Sequence, residues 1–340
     1  MIKKLLQQIL LLSLLIFGYY SAQAHHSHAN LNRDDVRTYS GIVTRYSWTM
    51  PHVFLKVKAP DKNGNVVEYS IEMLHPPAMA KRGWEKKSFA KGDLITWQGP
   101  HDYNELRHYT GLSWAERKDG SRLSMTEKEE GIVVPSTDFS GLWKRSDFDP
   151  ATGKAKFNPH YKPPKNWPLT ELGQEMVDNF HEDQNPMVSC GNPGPPKAMI
   201  VPYPVMISRP NDKTIIFERE LMRDVRVIHL DHSVKREEPS KLGHSLGWFE
   251  GNSLIISTDN FVDDLWGSHT GINSSDKKQL TEKFTLSENG TYLIAEITIN
   301  DPVYLTKPHT FFHRWKKIAD REVIQAPCTM ESAKLYLQGG

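Results

Sequence analysis

The sequence predicts an all-β chain built as two barrels, a small one followed by a larger one, and three observations predict it. Apolar and polar residues alternate with a period of two in many segments, among them "YSGIVTRYSW" and "HVFLKVKA". That is the pattern of a strand with one buried face. Turn pairs such as Asn63-Gly64, Asp119-Gly120 and Asn289-Gly290 fall between these segments, where hairpins call for positive φ. Helical periodicity is confined to two short stretches, "PPAMAKRGW" and "LTELGQEMVDNF".

The first 24 residues stand apart. Lys3 and Lys4 precede a run rich in Leu and Ile, and Ala22-Gln23-Ala24 offers small residues to a signal peptidase. The run is short for a membrane span and nothing like it recurs, so residues 1–24 read as a secretory signal peptide. No cysteine sits at the cleavage point as a lipoprotein would require. The expectation is a periplasmic protein with no membrane insertion after cleavage. Without Lys3 and Lys4 the 42 basic residues fall to 40, against 41 acidic ones. With no basic excess, nucleic acid is not an expected partner. The mature chain is long enough for two domains with cores of their own.

Residues 25–125 form the predicted small barrel. After the two strands quoted above, Asn63-Gly64 turns the chain into "VVEYSIEML". "PPAMAKRGW" supplies one short helix, "KGDLITWQG" a further strand, and a hairpin around Asp119-Gly120 ends the unit. Some five strands with one helix fit a barrel of the oligonucleotide-binding or SH3-like type. Residues 126–168, rich in proline and polar groups, read as a linker and lead-in in which "DFSGLWKR" is a candidate first strand.

Residues 169–340 form the predicted large barrel. The helix in "LTELGQEMVDNF" sets Leu169, Leu172, Met176, Val177 and Phe180 on one face, an amphipathic helix lying on the sheet or capping it. Hairpins follow in "VMISRPNDKTIIFERE", "GHSLGWFEGNSLIISTDNF" and "KQLTEKFTLSENGTYLIAEITIND", with single strands at "RDVRVIHLD" and "HTFFHRWKKI". Such spacing predicts an antiparallel up-and-down, calycin-like barrel or a curved sandwich. A barrel of this length commonly encloses a cavity.

Two groups of residues carry candidate chemistry. Cleavage after Ala24 makes His25 the mature terminus, and its amine and imidazole with one more imidazole form a ligand set suited to Cu(II). His26, His28 and, from the folded body, His52 are the further nitrogens. Copper is the expected metal and zinc the second choice, against the plainer reading of a solvated tail. In the large barrel, Arg226, His229 and Asp231 are expected to share a strand face. His244, Asp259 and Glu282 are candidates for acid–base catalysis, and Arg226, Asp231, Trp266 and His269 for binding a small polar ligand. The competing reading is a set of surface ion pairs and turn caps. No phosphate loop, dinucleotide fingerprint or His-Glu-x-x-His is present, so no nucleotide cofactor is expected. Cys190 and Cys328 read as a structural disulfide joining the tail to the middle of the chain, worth roughly 4 to 5 kcal/mol in the loop-entropy account. A redox pair or metal thiolates are the alternative, which close spacing and a reducing compartment would favour.

Two resemblances cover most of the mature chain. "AHHSHA", "YSGIVTRYSWTMPHVFLKV", "AMAKRGW" and "FAKGDLITWQG" resemble an uncharacterised family of small exported bacterial domains. Its members begin His-His-Ser and carry Trp-x-x-Pro-His, matched by Trp48, Pro51 and His52. The second half resembles another uncharacterised exported bacterial family with a Gly-His-Ser to Glu-Gly hairpin, here Gly243 to Leu254. Asp259, Trp266, Glu282, Asp301 to Pro308 and cysteines like Cys190 and Cys328 belong to that pattern, which implies their disulfide. His229 departs from it, since relatives carry an aromatic there. The resemblances imply a bacterial periplasmic protein and bring no activity. The expected function is a binding protein with a copper site at His25 and a small-molecule pocket in the large barrel. The alternatives are a periplasmic enzyme using His244, Asp259 and Glu282, or a non-catalytic scaffolding module, with the oligomeric state open.

Overall fold

Two closed β-barrels follow one another along the chain in the computed structural model, which describes residues 31–126, 131–154, 156, 162–220 and 224–334. The expected signal peptide, residues 1–24, and His25, His26 and His28 lie outside the described residues. The small barrel comprises β1 (Leu31–Ser47), β2 (Phe54–Pro60), β3 (Val66–Glu72), β4 (Leu94–Asp102) and β5 (Tyr109–Thr110). The short helix α1 (Pro76–Ala80) follows β3. β6 (Trp114–Arg117) and β7 (Arg122–Ser124) extend the sheet from β4. β1 runs longer than its alternation predicts, because it pairs with β2 at one end and with β4 along the rest. At Gly41 a Cβ would lie 2.3 Å from the Lys58 carbonyl oxygen, so only glycine lets these two strands approach. Between β2 and β3 only Gly64 takes positive φ, and Asp61 closes a five-residue loop through the Asn63 and Asn65 amides. The two-residue turn expected at Asn63-Gly64 is therefore replaced by an Asp-capped loop.

The large barrel takes its first strand, β8 (Gly141–Arg145), from the lead-in. β9 (Val205–Asn211), β10 (Thr214–Arg219), β11 (Val225–His229), β12 (His244–Glu250) and β13 (Ser253–Asp259) follow. A small separate hairpin, β14 (Asp264–His269) and β15 (Ile272–Ser274), interrupts them. β16 (Gln279–Leu286), β17 (Tyr292–Asn300) and β18 (His309–Lys317) then return to β8 and close the ring. A closed ring with an odd number of strands cannot alternate direction throughout, so each barrel needs one parallel pair. In the small ring that pair is β3 with β5, and in the large one β11 with β12.

Inward positions of the large barrel carry Phe217, Leu254, Ile256, Phe284, Ile297 and Trp315. Those of the small barrel carry Val57, Ile71, Trp84 and Trp97. Helix α2 (Glu171–Asp178) is capped by Thr170, whose hydroxyl accepts from the Gly173 amide at 3.2 Å. Its buried face differs from the expected one at Leu172, which is 43% exposed. Gly173 instead sits so close to the Tyr304 carbonyl that a Cβ would lie 2.5 Å from it. That approach turns Leu172 to solvent.

The barrels are tied where the tail returns. Cys190 and Cys328 form the disulfide, across 138 positions of sequence. The Met50 amide donates to the Pro327 carbonyl at 2.8 Å, and Met50 packs with Val201, Tyr203 and Ala326. Arg45 of β1 holds Glu331, with Nη2 2.7 Å from Oε2. Among the described residues no helix is long and apolar enough to cross a membrane.

Candidate functional site

His52 lies between β1 and β2, after the cis Met50–Pro51 peptide. Phe54 stands directly across from Glu72 in the β2–β3 ladder, so His52, two residues earlier, shares their face. Its Nδ1 contacts Glu72 Oε1, and the second carboxylate oxygen accepts the Tyr109 hydroxyl at 2.5 Å. The Glu72 side chain has no exposure and that of His52 has 25%. By strand parity this is the outer face of the barrel, where Glu68 remains in contact with solvent. Glu72 is buried there because Leu31, Phe54, Tyr109 and Val188 pack together over this region. Val188 comes from the segment beside the disulfide, so chain distant in sequence covers the carboxylate. His75 caps α1 by accepting the Ala78 amide at 3.3 Å and packs on Tyr203. Burial, with the charge of nearby His52, pushes its imidazole down to about 3.

The large barrel carries a layer of buried charge. Arg226 Nη2 contacts Glu282 Oε2 at 2.5 Å and Thr258 Oγ1 at 2.6 Å, and its Nε donates to Ser245 Oγ at 3.0 Å. Arg219 pairs with Asp224 beside them. Burial pushes the Arg219 guanidinium down while Asp224 opposes the shift. Lys278 is buried over the Phe261 ring and donates to the Pro195 carbonyl and Ser274. Desolvation lowers its ammonium to about 8. These groups bind one another, which makes the layer a structural network first.

The candidate catalytic residues do not converge. Ser245 and Thr258 point inward with Arg226, so their neighbours His244 and Asp259 point outward by the alternation of the pleat. Glu282 points inward, to Arg226. His244 stacks on His229 at 5.3 Å, and burial followed by the charge of His229 lowers its affinity for a proton. Asp259 pairs with Arg236 at 2.6 Å. Nor do Arg226, His229 and Asp231 share a face. Positions 226 and 229 have opposite parity, and Asp231 lies beyond β11, where it caps Ser233 and binds Lys213. Those contacts, the Ser233 hydroxyl foremost, hold its carboxyl well below the usual range. Trp266 and His269 are buried in β14, against Phe180 and Trp167 respectively.

An open cleft of about 430 Å³ lies at one end of the large barrel, formed by the β12–β13 and β16–β17 turns and the approach to β8. Phe139 and Phe249 make its apolar floor with ring centroids 6.0 Å apart, and Leu286 adjoins them. The Arg209 guanidinium lies 5.5 Å over the Phe249 ring. Phe139 adopts φ +70°, a left-handed backbone that costs energy for a bulky residue. Its carbonyl accepts the Trp143 indole at 2.9 Å, which holds the ring in place.

The sequence pattern missed these parts for definable reasons. Glu72 occupies an outward position that alternation assigns to solvent. Phe139, Arg209 and Phe249 come from three separate segments, and only barrel closure gathers them. Among the described residues, no three or more His, Cys, Asp or Glu side chains are grouped to hold a metal ion.

One comparison with known proteins bears on the His52 region. Residues 14–113 match DUF6152, a family of unknown function. The match takes in β1 to β5, including His52, Glu72 and Tyr109, and the segment leading into β1. No curated protein and no solved structure matches the chain.

Proposed function

We propose that the protein is exported to the periplasm and binds a copper ion through its mature N-terminus and His52. The observation that carries this reading is the position of Leu31, the first residue of β1. It packs in one cluster with Phe54 and Tyr109, and both adjoin the His52–Glu72 pair. His28 lies three positions before Leu31 and His25 six. At the extended reach of a chain these span about 10 Å and about 20 Å. The terminal amine and imidazoles therefore have enough chain to join His52 around one metal. Nitrogen ligands of this kind suit Cu(II), with zinc second. The disulfide fits an oxidising compartment outside the cytoplasm, which supports export.

Metal analysis of the mature, tag-free protein tests this directly. The expected result is about one copper per chain, reduced by His25→Ala and by His52→Ala. Copper content unchanged in both variants would overturn the site.

A second reading, a small ligand at the mouth of the large barrel, is favoured by the Phe139–Phe249 cleft. The cleft falls within the usual size range of ligand sites, roughly 300–1,000 Å³, and places one cation, Arg209, over an aromatic floor. Asp138 and Glu288 line it as well, and Arg209 also pairs with Asp212, so a compact apolar molecule with a neutral or cationic polar group fits that chemistry.

A further inference from the structure

We propose that the cleft at the open end of the large barrel binds a small organic cation, an alkylammonium on a compact apolar body. The Phe249 ring is its platform, and Glu288 and Asp138 are its counter-charges. Together they deepen the small-ligand reading of the cleft, on which this proposal rests, by fixing the charge of the ligand.

The charges around the floor do not balance. Asp138 and Glu288 line the cleft with one cation, Arg209, and Arg209 already answers Asp212 at 3.6 Å. Asp138 accepts from the Ser140 amide at 3.1 Å and from its hydroxyl at 3.2 Å, and these neutral donors bring no opposing charge. Glu288 is exposed, and its side chain meets no hydrogen-bond or ion-pair partner among the described residues. An anion would be repelled here. A neutral guest would strip water from Glu288 and return no charge to it. A cation gains from both carboxylates.

The floor suits a cation as well as the rim does. An aromatic face attracts an ammonium or guanidinium held within about 6 Å of its centroid. Arg209 shows this face in use, with its guanidinium carbon 5.5 Å from the Phe249 centroid. Phe249 is exposed, whereas Phe139 is buried and backs the ring at 6.0 Å. Arg209 is therefore the resident cation that a ligand displaces, and Asp212 holds the side chain once it leaves the ring. The rim is held in place by its own bonds. The Ser136 amide donates to the Gly290 carbonyl at 2.9 Å, and Asn289 Oδ1 accepts from the Thr291 hydroxyl at 2.7 Å beside Glu288.

The test uses the full-length mature protein, with choline as the probe and neohexanol, its uncharged carbon isostere, as the control. In an NMR titration choline should shift the amides of Gly251, Ser287 and Glu288. The Arg209 Nε–H signal should move with them as the guanidinium leaves the ring. Neohexanol should bind on the order of tenfold more weakly, because it forfeits the ring and carboxylate attractions together. Added salt should weaken choline binding and leave neohexanol unchanged. Glu288→Gln should cost choline about 2- to 5-fold, and Phe249→Ala at least as much. Arg209→Ala should tighten choline binding, since the competing cation is gone. Equal binding of the two probes overturns the proposal and leaves the cleft standing as a site for a neutral ligand. No saturable shift at the cleft with either probe overturns both. Weaker choline binding in Arg209→Ala, or unchanged binding in Glu288→Gln and Phe249→Ala, also overturns the proposal.

Discussion

The two barrels bury charge in opposite ways. The small barrel has an interior built on Val57, Ile71, Trp84 and Trp97, and one of its buried carboxylates, Glu72, lies on the outer face against a partly exposed histidine. The large barrel keeps its charge inside, where Arg226, Glu282, Arg219 and Asp224 answer one another. Charge paired inside the closed ring is engaged first by its own partners. A carboxylate covered from outside but joined to a half-buried imidazole can pass its influence to whatever that imidazole meets. The contrast places candidate chemistry at the junction of the barrels rather than in the centre of the larger one.

The largest expected effect tests whether that junction depends on the tail. Replacing Cys190 and Cys328 together by serine opens a loop spanning 138 positions, which the loop-entropy account values at about 5 kcal/mol. Denaturant unfolding should shift to lower concentration by a corresponding amount. Small-barrel and large-barrel signals should also separate, because Met50, Arg45 and Val188 lose their fixed neighbours. A single transition at an unchanged midpoint would mean that the barrels are joined by other contacts.

Next in size is the inner ion pair. Glu282→Ala leaves the Arg226 guanidinium buried without its counter-charge and should cost about 3–5 kcal/mol. Replacing both, as Arg226→Met with Glu282→Leu, should recover most of that loss, since a buried pair is often matched by apolar groups of similar size. Chemical denaturation of the three proteins decides the point. If the double variant is as unstable as Glu282→Ala, or if either form loses a specific ligand, the layer is more than a structural network.

The fold was legible in the sequence to a greater depth than the site. Alternation and turn pairs report only on neighbouring residues, and they were enough for the β9–β10, β12–β13 and β16–β17 hairpins. They also marked Gly141–Arg145 as a strand without saying that it completes the large ring. Parity misled where the burial of a position depends on distant chain. Glu72 reads as a solvent residue until Leu31 and Val188 cover it, and His244, Asp259 and Glu282 read as one cluster until the pleat separates them. Leu172 belongs to the helical face by spacing and leaves it because Gly173 meets the Tyr304 carbonyl.

The smallest expected effect on stability is at the open end of the large barrel, and it sharpens the comparison from the other side. Phe249 is 41% exposed, so Phe249→Ala should change unfolding by well under the cost of a core aromatic, about 1 kcal/mol or less. It removes half of the apolar floor and the ring beneath Arg209. Binding of an uncharged aromatic probe, followed by fluorescence, should therefore weaken far more than stability does. Arg209→Ala should weaken it less, because an exposed guanidinium contributes little through solvent-screened charge. Equal probe binding in wild type and Phe249→Ala would remove the cleft as a ligand site. The large barrel would then be a scaffold whose charged layer and closed ring support the junction at His52.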